Sequence, residues 1–557
     1  MLEIIKRKSQ QLMQRIFLTG LSGSGKSSVG RKVSELLHWD FIDTDTLLSK
    51  RYGMPVGQIL VEFGEQKFRQ IESEALILAA GKEHVVIATG GGAVISAANR
   101  SFMQENGLTF YLETSVEIAW QRVQKQIHQS GKSAERPLVG GMDGQQRMQS
   151  LFLTRRQWYE EAELCINTNE DSLDTISKQV VAFALSNGRL KDSPQSQETV
   201  TLQLGKVTSK AIIDWDGLYH LPEYLKSLGF SQRIFIVTDS EVGRIYDNPI
   251  LSLLRNAGFV PQVFTVAAGE ASKSICSWQQ ILNWLVEQKA EQREPIIALG
   301  GGVIGDLTGF VAATYHRGIP LVQIPTTLLA QVDSALGGKT GINHPLGKNL
   351  IGAFYQPELI IVDPASLLTL PERVYLEGWA EIVKYGMILD ADLFETLEDH
   401  ISLLHAKDAT LLTRIITRCI QLKMDVVERD ERDGGLRNIL NYGHTFGHAL
   451  EILTDYGSWL HGEAVAVGME VAAQIAVSRG LLTNEHALRQ RELLLGLHLP
   501  LRCPGIDAAS VLEKMQRDKK VRAGQMRWIL PIQIGQAEIY DDIPLPLIQD
   551  AVARVCS

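Results

Sequence analysis

The chain has 557 residues, 45% of them hydrophobic and 21% charged, with a formal net charge of −9. That length exceeds what one hydrophobic core organises, so roughly two to four domains are expected. An acidic balance without a basic block argues against a nucleic-acid partner, and the lack of any apolar run of 18 residues argues against a membrane span.

From Arg15 to Leu185, short β-rich runs (RIFLTG, HVVIATG, LTFYLE) alternate with helical stretches, the pattern of a parallel sheet wrapped by helices. RIFLTG runs into LSGSGKSS, which sets Gly20, Gly25, Lys26 and Ser27 in the order G-x-x-x-x-G-K-S between a predicted strand and a predicted helix. In such a loop the backbone of Ser22, Gly23, Ser24 and Gly25 wraps phosphate oxygens and the helix N-terminus adds a favourable dipole. Lys26 reaches the β and γ phosphates, and Ser27 can hold Mg²⁺. FIDTD is expected to place Asp43 and Asp45 at the end of a second strand, where one carboxylate serves Mg²⁺ and the other accepts a hydroxyl proton. FRQIE then supplies Arg69, TGGGA supplies Gly90 to Gly92, and AERPLV supplies Arg136.

This ordered set resembles the shikimate kinase family over about residues 15 to 183. The resemblance implies that Asp45, Arg69, Gly91 and Arg155 contact shikimate, with Asp45 orienting the hydroxyl and the two arginines suited to its carboxylate. It further implies Asp43 in the Mg²⁺ shell, Arg136 as a lid arginine on the transferring phosphate, and Arg122 on the adenine side. Two departures stand out: QKQIHQSGKSAE is long for a lid, and NED near Asn169 replaces an adenine-side arginine. A nucleotide-binding regulatory module without turnover is the alternative, but Asp43, Asp45, Arg69 and Arg136 are all intact, and a pure sensor needs no hydroxyl base.

The polar, Pro- and Ser-containing stretch at 186–199 reads as a linker. Beyond it, RIFIVTDSEV, FVPQVFTV, EPIIALGGGVIGD, PLVQIPTT and LIIVDP resume the α/β alternation, and after Pro371 the pattern is helical to about residue 525. Gly300, Gly302 and Gly305 follow a strand as G-x-G-x-x-G, a weak signal alone because the acidic residue expected about twenty positions on is missing. Asp239 at a strand end, and Glu270 and Lys273 in GEASKS, are other polar groups in this part. In NYGHTFGHALE, His444 and His448 lie four residues apart on one helical face, and HGEAV adds His461. EGWAEIVKYG offers Glu381 with Lys384 three residues on. Three imidazoles and a carboxylate are the donor set of a catalytic zinc site, with His444 and His448 equal candidates on spacing alone.

These pieces, with GGGVIGDLTGFVAATYHRG, IPTTLLAQVDSALGGKTGIN and GKNLIGAF, resemble the 3-dehydroquinate synthase family from about Val200 almost to the C-terminus. The resemblance implies Zn²⁺ (or Co²⁺) on Glu381, His444 and His461, with His448 a proton carrier. It implies NAD held by Asp239, Glu270, Lys273, the turn of Gly302, Val303, Ile304, Gly305 and Asp306, and by Thr326, Thr327, Lys339 and Lys348. The substrate, a heptulosonate phosphate, would meet Asp333, Lys339, Lys348, Asn349, Lys384, Lys423, Arg437, Asn441 and His448, a lysine of the DKK run (Lys519 or Lys520), and Arg317, which could reach from a neighbouring subunit. Lys339, Lys384, Arg437 and His448 are the expected catalytic groups here, as Asp45 and Arg136 are in the first part.

The expected architecture is therefore α/β throughout. A P-loop kinase domain (1–185, a parallel sheet with flanking helices) and a linker (186–199) precede an NAD-binding α/β domain (200–370) and a mostly helical domain for zinc and substrate (371–557). ATP with Mg²⁺, NAD and zinc are the expected cofactors. Five scattered cysteines without a CxxC pair, and no signal-peptide core, suggest a cytoplasmic protein, expected to be a homodimer through its second part. A different sugar-phosphate cyclase is the alternative for that part.

Overall fold

RIFLT, VVIA and LTFYLE are nearly continuous apolar runs, as strands covered on both faces require. The computed structural model describes residues 14–130, 143–186, 197–204, 207–215, 217–432, 435–454, 457–517 and 526–557. Arg136, Lys519, Lys520 and most of the 186–199 linker lie outside them. Contacts divide the chain into two compact units, residues 1–192 with 244–249, and residues 193–243 with 250–557.

In the first unit, β1 (Arg15–Thr19), β2 (Asp40–Asp43), β3 (Val85–Ala88), β4 (Leu108–Glu113) and β5 (Leu164–Asn167) form an all-parallel sheet of order β2-β3-β1-β4-β5. Phe17, Val85, Ile87 and Tyr111 are buried in its core. The loops at the carboxyl ends of β1, β2 and β3 are thereby neighbours, the position where open α/β sheets bind ligands.

In the second unit, β6 (Glu198–Leu204), β7 (Val207–Ile213), β8 (Arg233–Asp239), β9 (Val260–Val266), β10 (Ile296–Gly300), β11 (Leu321–Pro325) and β14 (Leu359–Val362) form one sheet of order β6-β7-β14-β11-β10-β8-β9. Only the β6–β7 pair is antiparallel. A separate hairpin, β12 (Lys339–His344) with β13 (Gly347–Phe354), precedes β14 in the chain. Helices then dominate through Arg517, and the small hairpin β15 (Trp528–Gln533) and β16 (Gln536–Tyr540) follows. Among the described residues, no helix is long and apolar enough to cross a membrane.

Three helices of this region pack with no side chain between parts of their backbones. A Cβ on Gly462 would lie 1.9 Å from the carbonyl oxygen of Glu377, and one on Gly468 would lie 1.9 Å from that of Gly443. Glycine is therefore required where the helix His461–Ser478 meets the helix Glu372–Leu389, and again where it meets the start of the helix His444–Leu453.

Candidate active sites

In the first unit, the loop after β1 turns through Gly20, Gly23 and Gly25, all at positive φ, into the helix Lys26–Leu37. A Cβ at Gly23 would come within 2.4 Å of the Ala119 carbonyl oxygen, so the loop lies flat on the helix Val116–Ser130. Lys26 Nζ donates to the carbonyls of Gly20 and Leu21, both at 2.9 Å, and fastens the loop across its mouth. Ser27 Oγ donates to Asp43 Oδ2 at 2.6 Å, which joins the two expected Mg²⁺ groups across adjacent elements. Ser24 Oγ is buried with no protein partner.

Asp45 is not at a strand end. The Asp43 carboxylate accepts from Thr46 N at 3.0 Å and caps the helix Thr44–Tyr52, so β2 stops at Asp43 and Asp45 falls in the first helical turn. From there it still reaches the end of β3: a Cβ on Gly90 would sit 2.9 Å from Asp45 Oδ1 and 2.7 Å from Glu72 Oε1. Arg69 lies against Gly92 and donates from Nη1 to Glu72 Oε2 at 2.8 Å. Arg155 and Tyr159 both donate to the Gly91 carbonyl, at 3.0 and 2.6 Å. Asp45, Arg69, Gly91 and Arg155 thus surround one spot. Glu72, which sequence reasoning passed over, holds Arg69 in place; its signal was the i,i+3 spacing within FRQIE. Burial pushes the Glu72 carboxyl above its ordinary value, and Arg69 offsets this only in part. Arg122 donates to the carbonyl of Thr168 at 2.7 Å, next to Asn169.

In the second unit, β10 leads through Gly301 into the helix Gly302–Thr314, which contains Val303, Ile304, Gly305 and Asp306. A Cβ on Gly302 would lie 2.8 Å from Ser334 Oγ, and both Ser334 Oγ and Thr326 Oγ1 are buried without protein partners. A close-approach turn with orphaned hydroxyls beside it fits a dinucleotide. Thr327 Oγ1 accepts from Ala330 N at 3.2 Å. Lys273 pairs with Asp306, and burial raises the Asp306 carboxyl despite that cation. Asp239 caps the helix Ser240–Asn256 through Glu241 N and Val242 N, at 2.9 and 3.0 Å. Glu270 accepts from Asn343 at 2.7 Å and lies 3.9 Å from Lys348 Nζ.

Glu381, His444 and His461 come from three helices, and each offers a ligand atom within 4.8 Å of the others. Glu381 is fully buried; its Oε1 lies 3.5 Å from His444 Nε2 and 3.7 Å from His461 Nε2 and has no hydrogen-bond partner, while Oε2 pairs with buried Lys384. An orphaned carboxylate oxygen faced by two imidazole nitrogens is what a divalent metal satisfies, so the residues fit one. The outer nitrogens are also engaged: His444 Nδ1 meets the Tyr442 carbonyl at 3.1 Å, and His461 Nδ1 meets Glu451 Oε2 at 3.2 Å. Burial opposes charge on His461, but Glu381 and Glu451 outweigh it and raise its pKa to about 10. Burial likewise pushes Glu451 up, yet His461 and Lys348 prevail and hold it at about 2. The His448 ring stands 5.4 Å from that of His444 but outside the group of three, so the geometry sets the two histidines of one helix apart.

Cations crowd the same region. Lys423 Nζ donates to Asp333 Oδ1 at 2.6 Å, and Tyr385 Oη donates to the same oxygen at 2.9 Å. Asp333 thus positions Lys423, and its carboxyl is held far below the ordinary range by Lys423 and Lys384 although burial pushes the other way. Lys423 itself is lowered to about 8, because burial and Arg437 outweigh Asp333. Arg437 is buried, with its guanidinium on the carbonyls of Gly337 and Glu431. Asn441 donates to the Asn438 carbonyl at 3.1 Å. Lys339 opens β12, and Lys348 and Asn349 stand on β13, with Asn349 at φ 53°. Arg317 lies in the tight turn after the Gly302–Thr314 helix, where both it and His316 have positive φ.

One chain therefore carries a P-loop phosphotransferase and, after it, an α/β enzyme with a Glu-His-His group that could hold a metal, ringed by lysines and arginine. Residues 22–184 match the shikimate kinase family, 263–377 the 3-dehydroquinate synthase N-terminal family and 378–521 the 3-dehydroquinate synthase C-terminal family. The chain belongs to the 3-dehydroquinate synthase family, with a shikimate kinase module ahead of that part, and so unites a kinase with a lyase. The 3-dehydroquinate synthase of Prochlorococcus marinus (strain MIT 9211) is 43% identical over 367 residues, 65% of this chain and 99% of that protein. The 2-epi-5-epi-valiolone synthase of Streptomyces hygroscopicus, solved with NAD+ and Zn2+ bound, is 28% identical with a TM-score of 0.59, covering 63% of this chain and 98% of that one. A 2-deoxy-scyllo-inosose synthase complexed with carbaglucose-6-phosphate, NAD+ and Co2+ is 27% identical with a TM-score of 0.58, covering 64% and 100%.

Proposed function

We propose that the two activities are carried by the residues assembled above. The first unit transfers the γ-phosphoryl group of ATP to the 3-hydroxyl of shikimate. The second converts 3-deoxy-D-arabino-heptulosonate 7-phosphate to 3-dehydroquinate and phosphate. Both are steps of chorismate biosynthesis, and they are not consecutive.

In the kinase, Ser27 and Asp43 hold Mg²⁺, and the loop amides with Lys26 hold the nucleotide phosphates. Arg69 and Arg155 clamp the shikimate carboxylate, which leaves its hydroxyl beside Asp45. Asp45 takes the hydroxyl proton as the new O–P bond forms and the bond to ADP breaks.

In the synthase, Glu381, His444 and His461 hold Zn²⁺ or Co²⁺, and Asp239, Glu270, Lys273, the Gly302–Asp306 turn, Thr326 and Thr327 hold NAD. When bound, the metal makes a coordinated hydroxyl more acidic and NAD accepts a hydride and returns it, so neither is consumed. Lys339, Lys348, Asn349, Lys384, Lys423, Arg437 and Asn441 fix the carboxylate and phosphate at opposite ends of the substrate. His448, beside the metal triad but outside it, moves a proton. The observation that carries this reading is the orphaned Glu381 oxygen, faced by two imidazoles within a ring of cations.

This reading includes a homodimer formed through the synthase part, with Arg317 a phosphate contact that reaches substrate in the partner subunit. It includes a cytoplasmic location and the division at 1–185, 186–199, 200–370 and 371–557. The test is a pair of assays on the purified chain: ADP formation with shikimate, and phosphate release from the heptulosonate phosphate with NAD and zinc. Phosphate release confined to a heptose phosphate without the carboxylate would instead make the second part a different cyclase, and ATP binding without ADP formation would make the first a regulatory module.

A further inference from the structure

Glu451 closes the NYGHTFGHALE motif, and sequence reading assigns it no role. It is buried, 4% exposed, on the helix that begins at His444. Its two oxygens serve different partners. Oε2 meets His461 Nδ1 at 3.2 Å, and Oε1 accepts from Lys348 Nζ at 3.1 Å. The first contact fixes the tautomer that leaves His461 Nε2 directed at Glu381. The second ties the same carboxylate to β13, whose lysine also approaches Glu270. His444 differs, since its outer nitrogen rests on a neutral backbone carbonyl.

We propose that Glu451 is a positioning residue that orients the metal ligand His461 and links the charge of Lys348 to the strength of that ligand. The proposal rests on the metal site put forward above. A carboxylate hydrogen-bonded to an imidazole makes it a stronger donor to a metal, and a lysine sharing that carboxylate draws part of the effect away. Removing the carboxylate must weaken metal binding, whereas removing the lysine must not.

The experiment measures zinc dissociation constants of the full-length protein by competition with a chromophoric chelator, after stripping and reloading. Glu451→Gln is expected to bind zinc about 10- to 100-fold more weakly, and Lys348→Met more tightly than wild type. The double variant is expected to match Glu451→Gln alone, because the lysine acts through the carboxylate. Zinc binding by Glu451→Gln within twofold of wild type overturns the proposal, as does Lys348→Met binding zinc no more tightly than wild type. If Glu451→Gln fails to fold by circular dichroism, Lys348→Met carries the test: tighter zinc binding than wild type supports the link through the carboxylate, and binding that is equal or weaker overturns it. His444→Ala separates this from the metal assignment itself: unchanged zinc binding there would remove the site on which the proposal stands.

Discussion

Replacing Gly462 by alanine tests whether close helix packing sets the metal geometry. The new Cβ would fall 1.9 Å from the Glu377 carbonyl oxygen, against 3.4 Å for ordinary contact, a shortfall of about 1.5 Å. The oxygen is backbone and a Cβ is fixed rigidly to its own backbone, so nothing can rotate away, and one helix must shift. Glu381 lies on one of those helices and His461 is the first residue of the other. A metal site tolerates ligand displacements of only about 0.2 Å, so even a fraction of the shift spoils the triad. Overpacking alone costs about 1–3 kcal/mol of stability; zinc affinity should fall by at least about tenfold on top of that. Thermal unfolding of metal-free protein reads the first effect and chelator competition reads the second. A variant less stable than wild type but equal to it in zinc affinity would refute the claim that this contact holds the ligands in register.

Asp45→Asn should abolish ADP formation with shikimate while nucleotide affinity persists, as equilibrium dialysis would report; equal loss of both would make Asp45 structural. His444→Ala should lose zinc, and His448→Ala should keep it and lose rate, a contrast that metal analysis beside turnover resolves. Lys423 should give the synthase an alkaline limit: with a pKa near 8, its charge is lost as pH rises through that value, so KM for a substrate bearing both a carboxylate and a phosphate should climb above pH 8. The linked effect on folding has the opposite sign. The unfolded lysine titrates near 10.5, so between about 8 and 10.5 the unfolded chain binds more protons, and the Lys423 contribution makes stability rise with pH there.

The parts of the fold fixed by neighbours in sequence were legible. The P-loop, the apolar strands and the helical change after Pro371 all arise from local patterning, and the structure has them. FIDTD puts Asp45 at the strand end, two residues too far along it, because nothing in the motif announces that the Asp43 carboxylate caps the next helix. The metal triad is of another kind. Spacing pairs His444 with His448, but which side chains meet depends on which helices are brought close, as at the contact of Gly462 with Glu377, 85 residues apart. Only the resemblance to a family separated the histidines beforehand. Asp333 is similar: it accepts from Lys423, 90 positions on, a pairing no local pattern announces.

His444 and His461 are each the first residue of a helix, of 10 and 18 residues. Two rows of aligned peptide dipoles therefore point their positive ends at one spot. That field resists any cation placed there and favours an oxygen that takes on negative charge beside it. The carboxylates of Glu381 and Glu451 act as a counterweight to that field. The same arrangement implies that neutralising either carboxylate would leave the field of the two helix ends less opposed and weaken the hold on a cation.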